Sequence, residues 1–135
     1  MSTYAQETSP VTVRPATAED IARFAERANT PTLKGWVAEV EGEAVALGGL
    51  AMVKGRWFAF LDITEHGRGL LKKNVYVRAA MVRGAVTALR EAKRMGLRFV
   101  YAEADARLPN AEELLSRLGF DLDPRTDHLY RWSNR

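Results

Sequence analysis

Apolar and polar positions along this chain follow two different periods, and each change of period marks an element. "VTVRPA", residues 11 to 16, alternates every second residue as a half-buried strand does, and stops at Pro15. "TAED", 17 to 20, then offers a hydroxyl cap with acids in the first turn. Ile21, Phe24, Ala25 and Ala28 follow at helical spacing, predicting a helix to about Asn29 before "NTPT" ends it. From Trp36 to Ile63, "WVAEVEGEAVALGGLAMVKGRWFAFLDI", apolar runs are interrupted at Glu41-Gly42-Glu43 and at Lys54-Gly55-Arg56. That punctuation predicts three antiparallel strands joined by two tight turns.

The second half opens on a helical period of about 20 residues that ends at Met95, with Gly96 as a left-handed cap. Val75, Ala79, Val82, Val86 and Leu89 form one apolar stripe, and Met81, Ala85, Ala88, Ala92 and Met95 a second beside it. So wide a face suits a helix lying flat on a sheet. "LRFVYAEAD", 97 to 105, reads as a strand. Asn110, three residues before Glu113, opens a short helix carrying Leu114, Leu115 and Leu118 and closed by Gly119. "FDLD" and "DHLYRW" make two last strands around Pro124. The predicted order is β-α-β-β-β-α-β-α-β-β, an α/β (α+β) architecture. Its central sheet is mixed and mostly antiparallel, with helices on both faces and one parallel crossover between residues 56 and 104. Residues 1–10 read as a flexible tail and 11–135 as one domain.

Composition narrows the chemistry. Among 135 residues there is no cysteine, which removes disulfides, thiolate catalysis and cysteine-based zinc sites together. His66 and His128 are far apart and neither has a second ligand at helical spacing, so no metal site is expected. No apolar run reaches the roughly 20 residues of a membrane helix, and "MSTYAQETSP" lacks the basic and apolar regions of a signal peptide, so the chain is expected in the cytoplasm, away from membranes. Trp36, Trp57 and Trp132 fall on predicted strands and are expected in the core.

The formal charge of +3 is small but unevenly placed. Arg68, Lys72, Lys73, Arg78, Arg83, Arg90, Lys93, Arg94 and Arg98 share one stretch in which Glu91 is the only acid. Such a stretch attracts an anion, whether a nucleotide, a phosphate, a nucleic acid or an acidic protein surface. At its start stands "TEHGRGLLKKN", 64 to 74, with two glycines and three basic residues ahead of a helix N-terminus. Two readings are open: a phosphate cradle, or the basic mouth of a helix.

In order and spacing, "VRPATAEDIARF", "VAEVEGEAVALGGL" and "NAEELLSRLGF" resemble the GNAT superfamily of acyl-CoA N-acetyltransferases, from about Val11 to Trp132. The resemblance implies an acetyl group moved from acetyl-CoA to an amine. It also implies a splay between the fourth and fifth strands for the pantetheine arm, and a pyrophosphate held at the start of the third helix. A fourth-helix tyrosine should protonate the departing thiolate.

The chain departs from that pattern at named positions. The family's Arg/Gln-x-x-Gly-x-Gly/Ala loop falls either on 73 to 79, with Tyr76 and Arg78 at the glycines, or on Thr64, Gly67 and Gly69. The second register demands a very early helix start, so 64 to 74 is read as an insertion, a flexible basic lip beside the cofactor groove. Leu115 stands at the tyrosine and Leu108 at the family's asparagine, with Asn110 close by. The same departures resemble small GNAT-like proteins of tailed bacteriophages, some carried in the virion, and these imply a non-catalytic binding or structural role as the alternative. The site residues that follow are Asp62, Glu65 and His66 as catalytic candidates. Leu61, Ile63, Arg68, Gly69, Lys72, Lys73, Arg78 and Asn110 are the acetyl-CoA-binding candidates. The chain is short of the helix usual between the first two strands, which leaves the acceptor side open for a macromolecule or a second copy in a homodimer.

Overall fold

The structure is a computed structural model that describes residues 11–24, 33–104, 110–126 and 128–134. Its strands are β1 (Val11–Pro15), β2 (Leu33–Val40), β3 (Glu43–Val53), β4 (Arg56–Ile63), β5 (Phe99–Glu103), β6 (Phe120–Leu122) and β7 (Leu129–Ser133). Its helices are α1 (Ala18–Arg23), α2 (Glu65–Lys73), α3 (Val75–Arg94) and α4 (Ala111–Arg117). The strands form one sheet in the order β1-β2-β3-β4-β5-β7-β6, with every neighbouring pair antiparallel except the parallel pair β4 and β5.

Both predicted hairpins are two-residue turns. Val40 pairs with Glu43 and Val53 with Arg56, and the residues between them, Glu41-Gly42 and Lys54-Gly55, all lie in the left-handed region. That backbone matches the twist of the strands it joins, which is why an X-Gly pair serves there. Between Ala38 and Glu39 the register of β2 against β3 slips, leaving Val45 as a bulged residue whose carbonyl accepts from Thr64.

Thr17 begins α1 with a reciprocal capping box to Asp20. The buried Asp20 carboxylate also receives Arg14 through Nη1 at 2.6 Å and Nη2 at 2.9 Å, while Arg14 Nε donates to Glu39 at 3.1 Å. One guanidinium thus ties β1, β2 and α1 together, and its hydrogen bonds hold the Asp20 carboxyl far below the usual carboxylate range. The helix ends at Arg23, with Phe24 extended, and so is shorter than the expected run to Asn29. Ala25 and Ala28, like the tail 1–10, lie outside the described residues.

The larger correction concerns 64 to 74. This stretch is a helix, not a flexible lip, and the described residues hold one more helix than the predicted order. Thr64 caps it by accepting from the Gly67 amide at 3.0 Å, and Leu70 and Leu71 pack against the core beside Val45 and Ile63. Gly67 is glycine because the helix is pressed onto the strands: a Cβ there would stand 2.5 Å from the Val45 carbonyl oxygen and 2.8 Å from Ile63 Cγ2. Asn74 then ends α2 and caps α3, which runs for 20 residues to Arg94 with Gly96 left-handed beyond it.

Of the two predicted stripes on α3, the one through Met81, Ala88 and Ala92 is buried, and Val75 and Val82 of the other are exposed. On the sheet, Ala46, Gly48, Leu50 and Trp57 alternate toward α3, with Trp36 and Ala38 of β2 alongside. Trp132 is buried, and Trp36 and Trp57 pack half-buried against the same cluster. Glu91 fastens the far end of α3 to β2. It accepts from both Arg94 and Lys34, and these hydrogen bonds lower its pKa to about 2.

Candidate functional site

The parallel step from β4 to β5 sets the site. The two strands are in register only at Phe58 and Tyr101, whose rings meet with centroids 5.8 Å apart. Past that pair the ladder stops and the strands part, β4 continuing beside β3 to Ile63 and β5 beside β7 to Glu103. A cleft of about 780 Å³ opens at this fork. Ala59, Phe60 and Leu61 line it in succession. Because side chains alternate across a strand, three consecutive lining residues mean that the wall is the backbone edge of β4. The opposite wall is Ala102 and Glu103 of β5, and α4 closes the side with Leu114, Leu115 and Leu118.

Among the described residues, polar groups in this cleft are few. Lys72 at the end of α2 and Arg78 on the first turn of α3 are its basic residues on that side. Arg78 Nη1 also donates to the carbonyls of Leu71 at 3.0 Å and Lys72 at 3.3 Å, closing the C-terminus of α2. Across the cleft Glu113 accepts from Arg117 at 2.7 Å. Glu103 also lines it, and among the described residues this carboxylate forms no ion pair.

The start of α3 has no glycine cradle. Its Tyr76 and Val77 amides are both received by Asn74 Oδ1, at 2.9 and 3.4 Å. The dipole of the helix is therefore met by its own side chain, and positive charge beside the cleft comes from Lys72 and Arg78.

Of the residues named from sequence, Leu61, Lys72, Arg78 and Asn110 come together on the cleft. Asn110 takes the left-handed conformation before α4 and makes no side-chain cap bond, so its expected capping role is not met. Asp62 sits on β4 in register with Leu47, and Ile63 in register with Ala46. Glu65 is the first residue of α2, and His66 places Nε2 3.5 Å from Glu43 Oε2 on the exposed surface. Arg68 Nη1 donates to the Ile63 carbonyl at 3.0 Å. Gly69 and Lys73 lie on α2, where a Cβ on Gly69 would meet no atom within 4 Å. None of these seven lines the cleft. Glu103 was not among the sequence candidates, since an acid at a strand end carries no sign of its partner strand. Its signal was the alternation of "FVYAE", which puts Phe99, Tyr101 and Glu103 on one face.

Solved structures share this fold. The ribosomal-protein-S18-alanine N-acetyltransferase from Escherichia coli superposes with a TM-score of 0.63 at 12% identity, over 91% of this chain and 93% of that one. The chain has the GNAT fold. A Bacillus subtilis acetyltransferase in complex with CoA superposes with a TM-score of 0.59 at 11% identity, over 93% of this chain and 98% of that one. By sequence, the chain is 32% identical to the uncharacterized N-acetyltransferase YjgM of Escherichia coli, a match covering 64% of this chain and 50% of that protein. The chain thus spans about half the length of the curated relative it matches. No family model matches. The fork lies between β4 and β5, where the sequence reading expects a splay, and Leu115 is half-buried on α4 beside it.

Proposed function

We propose that the fork binds acetyl-CoA and that the protein transfers its acetyl group to an amine. The observation that carries this reading is the single register pair between β4 and β5, with an apolar cleft opening where the ladder stops. An exposed strand edge of that kind offers amide and carbonyl groups at one spacing, to which the amides of a pantetheine arm can add as a strand does. Lys72 and Arg78 supply the charge that phosphates require in place of glycine backbone. The neighbours' bound ligands support it as well: the Bacillus subtilis structure holds CoA, and a solved AtaTR complex holds acetyl-CoA.

In this reading Glu103 serves as general base, taking a proton from the acceptor ammonium so that the free amine attacks, the nitrogen's second proton passing to water as the amide forms; Asp62, Glu65 and His66 remain candidates on the acceptor side. The amine nitrogen bonds to the thioester carbonyl, the carbon–sulfur bond breaks, and the thiolate takes up a proton. With leucine at 115 that proton comes from water, and a thiolate of pKa near 8.5 tolerates a departure without a dedicated acid. Thiol release from acetyl-CoA, measured with free α-amino peptides, polyamines and lysine-rich peptides as acceptors, tests the reading. Binding without release with every acceptor would support the fork and refute the transfer.

A further inference from the structure

The cleft is longer than its fork. From Ala59 on β4 it continues over Ala46 and Gly48 on β3 to Ala38 on β2, beneath Gly84 and Ala85 of α3. Two strand spacings carry it about 10 Å beyond β4. Among the described residues its polar lining, Lys72, Arg78, Glu103, Asn110, Glu113 and Arg117, comes from α2, the first turn of α3, the end of β5 and α4, and none comes from β2 or β3. The described lining of the extension is apolar.

Two glycines stand in it without a packing reason. Gly84 lies in the interior of α3, where glycine weakens a helix, yet a Cβ there would meet no atom within 4 Å and the backbone is not left-handed. Gly48 lies inside β3, where a Cβ would meet Leu61 Cδ1 and the Phe60 carbonyl at 3.4 Å, an ordinary contact. Neither absence of a side chain is demanded by an atom of the described residues. Both keep the extension open, and Trp36 on the same sheet face stays half-buried beneath it.

We infer that this extension receives the hydrocarbon chain of acyl-CoA donors longer than acetyl, and that Gly84 sets the length admitted. The inference rests on the reading of the fork as a thioester site. The transfer balances as before, the acceptor nitrogen gaining the acyl carbon and CoA leaving as its thiol, while the chain takes no part in bond making. Burying each further methylene tightens binding about fourfold.

Calorimetric titration of the full chain with CoA, acetyl-CoA and octanoyl-CoA tests it. The wild type is expected to bind octanoyl-CoA at least about tenfold more tightly than acetyl-CoA. Gly84→Leu, checked for folding by its thermal transition, is expected to cut that ratio at least about tenfold, and Gly84→Ala to cut it less. Equal affinity for the two donors in the wild type, or a ratio unmoved by Gly84→Leu, would overturn the chain pocket and leave the fork reading standing. Failure of all three ligands to bind would overturn both.

Discussion

Phe58 on β4 and Tyr101 on β5 are the hinge pin of the cleft: they form the one register pair between the two strands, ring against ring, and the sheet divides immediately beyond them. Arg56 places its guanidinium 5.1 Å from the Tyr101 ring centroid and covers it. Because both rings are half-buried, Phe58→Ala should cost about 2 kcal/mol, below the range for a fully buried ring, as read from urea unfolding. It should weaken acetyl-CoA more than a distant substitution of equal cost. Loss of stability with unchanged affinity would separate the pair from the site.

Gly67 and Gly69 distinguish a helix packed on strands from a phosphate loop. Gly67→Ala should destabilise by about 1–3 kcal/mol, since its Cβ would press on the Val45 carbonyl and Ile63. Gly69→Ala, with open space around it, should stabilise α2 by about 0.5–1 kcal/mol. Equal effects at the two positions would contradict the placement of α2.

Much of this fold was legible in the sequence because it is written locally. Glu41-Gly42 and Lys54-Gly55 specify their turns by backbone conformation, and Gly96 ends α3 for the same reason. The helix at 65–73 was hidden because its signals are tertiary. The cap is Thr64 without a partnering glutamate, and the glycine at 67 answers to a carbonyl on β3 that sequence spacing cannot reveal. The site was legible in part for a similar reason. Lys72 and Arg78 could be found as charge ahead of a helix, whereas Glu103 matters only because β5 leaves β4 two residues earlier, at Tyr101.

Asp20 gives the fold a dependence on pH of known sign. Hydrogen bonds from Arg14, and then from Thr17, depress its folded pKa, so its contribution is present in full above the unfolded value near 3.9 and fades as pH falls toward the folded one. Asp20→Asn should therefore lower the urea midpoint at pH 7, with the gap from wild type narrowing below about pH 4. A gap that stays constant down to pH 2.5 would contradict the pairing.

Glu103→Gln keeps the size of the side chain and removes the base. Turnover with the best acceptor amine should fall about 100-fold with acetyl-CoA affinity unchanged, and Asp62→Asn serves as the comparison on β4. A larger fall for Asp62→Asn would move the base to β4.

The central claim, that the fork between β4 and β5 is an acyl-CoA site, is tested most directly by thermal unfolding of the full chain against increasing acetyl-CoA. Saturable stabilisation is predicted, about 2.7 kcal/mol at a hundred times the dissociation constant, and weakened by Lys72→Glu on the cleft wall. An unchanged transition at millimolar acetyl-CoA would contradict it.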